Sequence, residues 1–299
     1  MKKIDTFELV LTSMFVGIIL LLSLVPQLGF ITILPGVSLT IVHIPTLIGI
    51  FLLKPRNALI LGITFGLGSL MASYMYAVNP TDLAFQNPLV SVLPRALFGA
   101  FAYYIFYGLK KIEKLKFGNT LIFGIVSLIT IFGLYFGSLR IANDVAHSKY
   151  NDALSTNAEF YEEHDESETP PYSDEELEDL LMIGNNNYHK TSNVLIPIIL
   201  VISTGFIAVY YSLINNNMYE DLVIPASFVV STLIHTFVVL TSLVLFGGIL
   251  QLAFGDAVNL IYSITLSNGL IESIVALIVG TPIYFAIKKV PVLKRLKNN

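Results

Sequence analysis

Four ionisable side chains lie within long apolar stretches of this sequence: His43, Arg95, His235 and Glu272. Because an ionised group in an apolar medium is costly unless it is partnered or hydrated, such residues usually mark functional sites. A planar guanidinium such as that of Arg95 binds a carboxylate or a phosphate with two parallel hydrogen bonds. A buried carboxylate close to an imidazole is the pair that a proton relay uses. These residues therefore predict either the binding of an anion or the movement of a proton.

Each of these side chains also has a structural interpretation. Arg95 could form an ion pair with Glu272 or Asp82, or extend its guanidinium to the nearest boundary with water. His43 and His235 could make hydrogen bonds that join neighbouring helices. The sequence leaves both the structural and the functional interpretations open.

The composition places the chain in the membrane class. Of its 299 residues 55% are hydrophobic and 13% are charged, and the mean hydropathy is +0.74. Soluble domains carry about 25% charged residues. The absence of cysteine excludes disulfides and thiolate metal sites. The acidic residues are concentrated, because 13 of the 21 lie between residues 141 and 193.

The apolar runs predict an all-α, polytopic integral membrane protein with about eight transmembrane helices. Residues 7–25 follow a cationic start but lack a small-x-small cleavage site, so we interpret them as a transmembrane helix and not as a signal peptide. The second run contains Pro45, which predicts a tilted or kinked helix. The eight runs are 7–25, 38–53, 57–77, 89–109, 119–139, 194–214, 223–250 and 258–287.

The distribution of lysine and arginine predicts the orientation. Cytoplasmic loops carry an excess of these cations. With eight crossings, all the main clusters fall on one side, so both termini are predicted to be cytoplasmic in the plasma membrane and residues 141–193 to be external. The clusters are Lys2 and Lys3; Lys54 and Arg56; Lys110, Lys111, Lys114 and Lys116; and the basic tail from Lys288.

Residues 141–193 are predicted to form a solvated external loop, with cation capture or partner docking as the alternatives. Ser173 and Glu176 have the spacing of a capping box, and Gly184 suits a helix C-terminus. We therefore expect a short amphipathic helix with mobile chain on either side. The spacing of a calcium-binding loop is absent from the sequence.

Sequence motifs exclude several enzymatic functions. The chain contains no Gly-Lys dipeptide, so it lacks the phosphate-binding loop of many ATPases. It has no H-E-x-x-H or G-x-S-x-G motif either. We predict that it is not an enzyme, holds no cofactor or metal and binds no nucleic acid. Ser13 and Gly17 form a small-residue face on the first helix, which favours close helix packing or the docking of another membrane protein.

Three segments and their order resemble a known family. HIPTLIGIFLLKPRNALILGITFGLGSL (43–70), NPLVSVLPRALFG (87–99) and SNGLIESIVALIVGTPI (267–283) are similar to the substrate-binding S components of energy-coupling factor (ECF) vitamin transporters. TLIHTFVVL (232–240) resembles the fifth helix of that family, with His235 where an asparagine is common. The family has six helices. The resemblance therefore divides the chain into core helices at 1–118, an inserted two-helix hairpin at 119–222 and two last core helices at 223–299.

The resemblance implies that the chain is embedded in the lipid bilayer and captures a water-soluble vitamin from the external side. It further implies that uptake is driven by a transmembrane scaffold subunit and two cytoplasmic ATPase subunits. The first helix, with Ser13 and Gly17, would dock on the scaffold. Carried over residue by residue, the pocket would comprise Thr40, His43, Tyr74, Asn79, Phe85, Asn87, Arg95, His235, Asn268 and Glu272.

Within this resemblance Arg95 would neutralise an anionic group, the three asparagines would bind amides or hydroxyls, and Tyr74 and Phe85 would close the pocket. Because this pocket has few aromatic residues to hold a flat ring, pantothenate is favoured over folate, riboflavin or a thiamin precursor. Two other classes of protein remain open. One is a self-sufficient proton-coupled transporter that uses Glu272 and His235, and the other is a structural membrane protein whose outer loop binds partners.

Overall fold

A computed structural model describes residues 6–34, 37–77, 80–163, 169–215, 222–247 and 268–290. Two compact units divide the chain, one formed by residues 1–130 and 213–299 and the other by residues 131–212. The elements are α1 (Thr6–Leu24), α2 (Pro26–Gly29), β1 (Phe30–Leu34), β2 (Val37–Thr40), α3 (His43–Leu52), α4 (Pro55–Tyr76), α5 (Pro80–Ala84), α6 (Pro88–Glu113), α7 (Gly118–Ala146), α8 (Ser148–Glu163), α9 (Asp174–Asn215), α10 (Val223–Phe246) and α11 (Leu270–Lys288).

Six helices in the described part of the chain are long and apolar enough to cross a membrane: α1, α4, α6, α7, α10 and α11. This number agrees with a multi-pass membrane protein, but it does not confirm the predicted count of eight. The predicted span 194–214 lies in the second half of α9, which is not among the six. The predicted span 38–53 is not a single helix, as the next elements show.

A β-hairpin and a short helix replace the predicted second transmembrane helix. Strands β1 and β2 pair in antiparallel fashion, with Phe30 opposite Thr40. Helix α3 has 10 residues and is therefore about 15 Å long, half of the ~30 Å needed to span the hydrocarbon core. Pro45 is the third residue of α3, a position in the first turn where proline breaks no helical hydrogen bond, so the predicted kink is absent.

Hydrogen bonds at both ends of α1 show that α1 and α4 run in the same direction. At the start of α1, Glu8 accepts hydrogen bonds from Lys54 Nζ (2.6 Å) and from Asn57 Nδ2 (2.8 Å), which lie where α4 begins. At the other end, the hydroxyl of Tyr76 donates to the carbonyl of Leu24 (3.2 Å). The hairpin and α3 together therefore return the chain from one end of α1 to the other. The predicted second transmembrane helix is therefore replaced by this hairpin and α3.

Glycines bring α4 and α6 into close contact. A Cβ atom placed on Gly62 would lie 2.5 Å from the carbonyl oxygen of Arg95, and one on Gly66 would lie 2.7 Å from the Cα atom of Val92. Because the neighbouring atoms belong to the backbone, they cannot move aside as a side chain would. Gly99 on α6 faces Gly62 in the same way. This contact fixes the part of α6 that carries Arg95 against α4.

The unit formed by residues 131–212 is helical throughout most of its described length, so the predicted solvated loop with mobile flanks is wrong. The capping box is confirmed, because Glu176 accepts hydrogen bonds from the backbone (2.9 Å) and hydroxyl (3.0 Å) of Ser173. These bonds lower the pKa of the Glu176 carboxyl. The predicted helix end at Gly184 is wrong, since α9 continues to Asn215. Gly184 instead leaves room for His147, whose ring would lie 2.6 Å from an added Cβ.

Candidate functional site

A proline in α6 determines how the guanidinium of Arg95 is held. Pro94 has no backbone N–H, so the carbonyl of Val90 lacks its usual partner four residues later in the helix. Arg95 Nη1 donates to that carbonyl (3.0 Å) and to the carbonyl of Ser91 (3.1 Å). The Pro94-Arg95 sequence therefore bends the arginine side chain back along its own helix and keeps it inside the protein, where it is 7% exposed.

The rest of the guanidinium faces aromatic rings. Its carbon atom lies 5.4 Å from the ring centre of Phe65 and 5.1 Å from that of Phe85, both within the range of cation–π attraction. Its Nε atom is buried and has no hydrogen-bond partner among the described residues. Arg95 is thus held by its own helix on one side and retains an uncommitted donor on the other.

His43 and His235 contact each other beside Arg95. Their rings are stacked, with centroids 6.1 Å apart and planes inclined by 19°. His235 also contacts the rings of Phe65 (5.3 Å) and Phe98 (4.6 Å), so it lies in the aromatic group beside Arg95. Among the described residues, both nitrogens of His43 and Nδ1 of His235 are buried and make no hydrogen bond of good geometry. The predicted hydrogen bond to a neighbouring helix is therefore absent for His43 in the described part of the chain.

Glu272 has partners other than Arg95. Its Oε1 accepts a hydrogen bond from the backbone N–H of Thr40 (2.9 Å), and its Oε2 accepts one from the hydroxyl of Thr236 (3.3 Å). No ion pair joins Glu272 to Arg95, although both residues are described. The direct ion pair that the sequence suggested for Arg95 and Glu272 is absent.

The fold thus gathers six of the ten predicted pocket residues into one cluster, listed at the end of this paragraph. We call it the buried polar cluster. Its four unpartnered nitrogens belong to Arg95, His43 and His235. Because buried polar groups in native proteins are almost always hydrogen-bonded, a group of such donors and acceptors points to a place where a polar solute or ordered water binds. The members are Thr40, His43, Phe85, Arg95, His235 and Glu272.

Three of the other predicted residues have other contacts or positions. Tyr74 is 66% exposed, and its hydroxyl donates to the carbonyl of Gln86. Asn87 caps α6 by accepting from the Leu89 N–H (3.0 Å), while its Nδ2 donates to the Phe246 carbonyl (2.9 Å) at the end of α10. Asn268 is half-buried one turn before Glu272. The tenth, Asn79, lies outside the described residues.

Sequence reasoning missed three members of the site. Thr236 binds Glu272, and the rings of Phe65 and Phe98 surround His235. Thr236 is adjacent to His235 in the run TLIHTFVVL, where a polar residue is unusual within an apolar helix, so that signal was available. The two phenylalanines gave no signal, because nothing in an apolar run distinguishes a ring facing a site from one facing lipid.

The small-residue face of α1 is free of contacts with the described part of the chain. A Cβ atom added at Gly17 would meet nothing within 4 Å, and Ser13 is exposed with its hydroxyl bonded to the carbonyl of Leu9. On α4, by contrast, Gly62 and Gly66 pack internally against α6. Among the described residues no group of three or more potential metal ligands occurs.

Comparison with known proteins shows a similarity to one family. The sequence model of the family described as "ECF transporter, substrate-specific component" matches residues 7–150, which include α1 to α7. The match is to that family and covers just under half of the 299 residues of the chain. The resemblance noted in the sequence is therefore confirmed, and the family is one of transport proteins and not of enzymes.

A curated relative of this chain is the "Pantothenate transporter PanT" of Leuconostoc mesenteroides subsp. mesenteroides. The two are 34% identical over 102 residues, which cover 33% of this chain and 50% of the relative. The chain thus matches about half the length of that relative. The family match contains four of the six members of the buried polar cluster, and His235 and Glu272 lie beyond residue 150.

Proposed function

We propose that this chain is the subunit that captures pantothenate from outside the cell for uptake by an ECF transporter. The observation that carries the proposal is the buried Arg95 guanidinium, which has an uncommitted Nε beside the unpartnered imidazoles of His43 and His235. A pantothenate transporter among its relatives supports the choice of solute. Pantothenate has one carboxylate, two hydroxyls and an amide, so it offers an anion together with several hydrogen-bonding groups.

The groups of the cluster match the groups of such a solute. Arg95 would hold the carboxylate, because a guanidinium that is bonded to two carbonyls is fixed in place and loses little freedom on binding. His43 and His235 would bond the hydroxyls or the amide, since a neutral imidazole offers one donor and one acceptor. Phe85 would cover the guanidinium together with Phe65.

Energy for uptake would come from other subunits. Without a phosphate-binding loop the chain cannot hydrolyse ATP by the route that such loops provide. We infer a transmembrane scaffold subunit and two cytoplasmic ATPases, with the exposed face at Ser13 and Gly17 as the contact with the scaffold. Residues 119–222 are then an insertion into the six-helix core.

A panel of vitamins tests the solute. The purified chain is heated alone and with pantothenate, riboflavin, folate or thiamin, and its thermal unfolding is followed. A ligand with nanomolar affinity present at micromolar excess adds about 4 kcal/mol to the free energy of unfolding, because only the folded state binds it. We expect pantothenate alone to raise the melting temperature. A shift with another vitamin would correct the solute, and no shift with any of them would refute the proposed capture function.

The same preparation separates this proposal from a proton-coupled transporter. If the chain works with partners, vesicles that contain it alone and carry a proton gradient accumulate no pantothenate. Accumulation in such vesicles would show that the chain transports by itself. We expect no accumulation, because the Glu272 carboxylate is engaged in structural contacts with Thr40 and Thr236 and is therefore less suited to carry protons.

We infer from the cation distribution that both termini are cytoplasmic and that the unit formed by residues 131–212 has its polar part outside. Because the chain contains no cysteine, a single introduced cysteine can be labelled without background. In intact cells a membrane-impermeant maleimide should label Ser155→Cys on α8 and leave Lys111→Cys at the end of α6 unlabelled. Labelling of both only after the cells are opened, or the reverse pattern, would contradict this orientation.

A further inference from the structure

The contacts of Glu272 connect the two segments that carry the stacked histidines. Its Oε1 accepts from the backbone N–H of Thr40, three residues before His43. Its Oε2 accepts from the hydroxyl of Thr236, the residue after His235. One carboxylate on α11 is therefore bonded both to the end of β2 and to α10.

This arrangement explains how the imidazoles come together. Strand β2 pairs with β1 so that Thr40 lies opposite Phe30, and the Ile41 N–H donates to the carbonyl of Gly29 (2.8 Å), so the hairpin holds its own shape. Those bonds join the hairpin to the end of α2 but do not fix its distance from α10, which other contacts must determine. A carboxylate bonded to both segments supplies such a contact where β2 ends.

The contacts of the Glu272 carboxylate are already made within the protein. Its Oε1 accepts from the Thr40 N–H, and its Oε2 lies 3.3 Å from the hydroxyl of Thr236, a donor that it shares with the carbonyl of Thr232 (3.2 Å). Glu272 is 7% exposed, and no ion pair joins it to Arg95. The unpartnered atoms of the buried polar cluster belong instead to Arg95, His43 and His235. The division suggests that these three residues contact the solute and that Glu272 acts on them through the backbone.

We propose that Glu272 is a positioning residue that holds the segment of His43 against the helix of His235 and does not itself contact the solute. The proposal rests on the proposed function for the consequence of that positioning, which is the affinity for pantothenate. The bonds themselves exist without any solute, so they can be measured separately.

The test compares Glu272→Gln with Glu272→Ala. Glutamine keeps an oxygen that accepts from the Thr40 N–H, and its amide can donate to the Thr236 hydroxyl, which also accepts. Alanine removes both bonds. We expect Glu272→Gln to bind pantothenate as the unchanged chain does, and Glu272→Ala to bind it on the order of tenfold more weakly, since a buried N–H is left without a partner. Equal losses in the two variants would show that the charge itself is needed, and would overturn the proposal.

Hydrogen exchange of the Thr40 amide gives a readout that needs no ligand. In the solute-free protein this amide should be protected in the unchanged chain and in Glu272→Gln, and should exchange faster in Glu272→Ala. Unaltered exchange in Glu272→Ala would refute the positioning role even if pantothenate binds. If pantothenate does not bind to the unchanged chain while exchange changes as expected, the proposed function fails and the positioning role stands.

Thr236→Val decides the question if Glu272→Ala does not fold. It removes one of the two bonds and keeps the shape of the side chain, so we expect a smaller loss of affinity than with Glu272→Ala. Combined with Glu272→Gln it should cost no more than Thr236→Val alone, because both changes act on one contact. Unchanged affinity in Thr236→Val would refute the role of this contact.

Discussion

Replacing Arg95 with alanine is expected to abolish high-affinity binding of pantothenate. Loss of one partner from a buried charge-assisted contact costs about 2–5 kcal/mol, which corresponds to roughly 30-fold to several thousand-fold in affinity. The fold should persist, because within the protein the hydrogen bonds of Arg95 go to Val90 and Ser91 of its own helix and not to another element. Titration calorimetry on the purified variant, with its thermal unfolding followed in parallel, measures both effects.

Two comparisons make this prediction specific. Lys111→Ala removes a cation from the exposed end of the same helix and should leave affinity unchanged. The neutral alcohol analogue of pantothenate, in which a hydroxyl replaces the carboxylate, should bind the unchanged chain weakly and the Arg95→Ala variant about equally weakly. If Arg95→Ala still discriminates between the acid and the alcohol, another group holds the carboxylate. If Arg95→Ala unfolds without any vitamin present, the structural interpretation of Arg95 is correct.

Replacing Gly17 with leucine should stop transport by the assembled transporter and leave solute binding intact. An added side chain at this position meets nothing within the described part of the chain, so the fold of the isolated subunit should tolerate it. In the complex a leucine would fill the space that a small residue leaves for a neighbouring helix. Pantothenate uptake by vesicles that contain the scaffold and ATPases measures the loss, and the thermal shift of the purified variant measures binding.

Gly108→Leu is a matched control for this prediction. Gly108 on α6 also has nothing within 4 Å of an added Cβ, so the same substitution introduces the same apolar volume at another open position. We expect uptake with Gly108→Leu to match that of the unchanged chain. Equal loss of uptake in the two variants would indicate a general effect of leucine on the assembly, and loss of binding in Gly17→Leu would refute a role confined to docking.

The membrane class, the similarity to the family and the ionisable residues of the buried polar cluster were predictable from the sequence. Apolar runs and cation clusters are local signals, and a residue such as Arg95 within an apolar run is conspicuous wherever the chain folds. The resemblance then gave the chain order of the segments that contribute to the buried polar cluster. The helix count was less predictable, because an apolar run such as 38–53 does not reveal that its first residues pair with a neighbouring strand.

The sequence by itself determined that His43, Arg95, His235 and Glu272 require partners inside a membrane protein, since burying such groups is costly in any fold. Only the tertiary structure decided which partner each one has. Pro94 frees the carbonyl that Arg95 binds, and Glu272 is bonded to the Thr40 N–H 232 residues away in the chain instead of to that arginine. Hydrogen bonds depend on distances of about 3 Å between atoms far apart in sequence. The sequence therefore shows which groups need partners, and the packing of the helices and the hairpin assigns them.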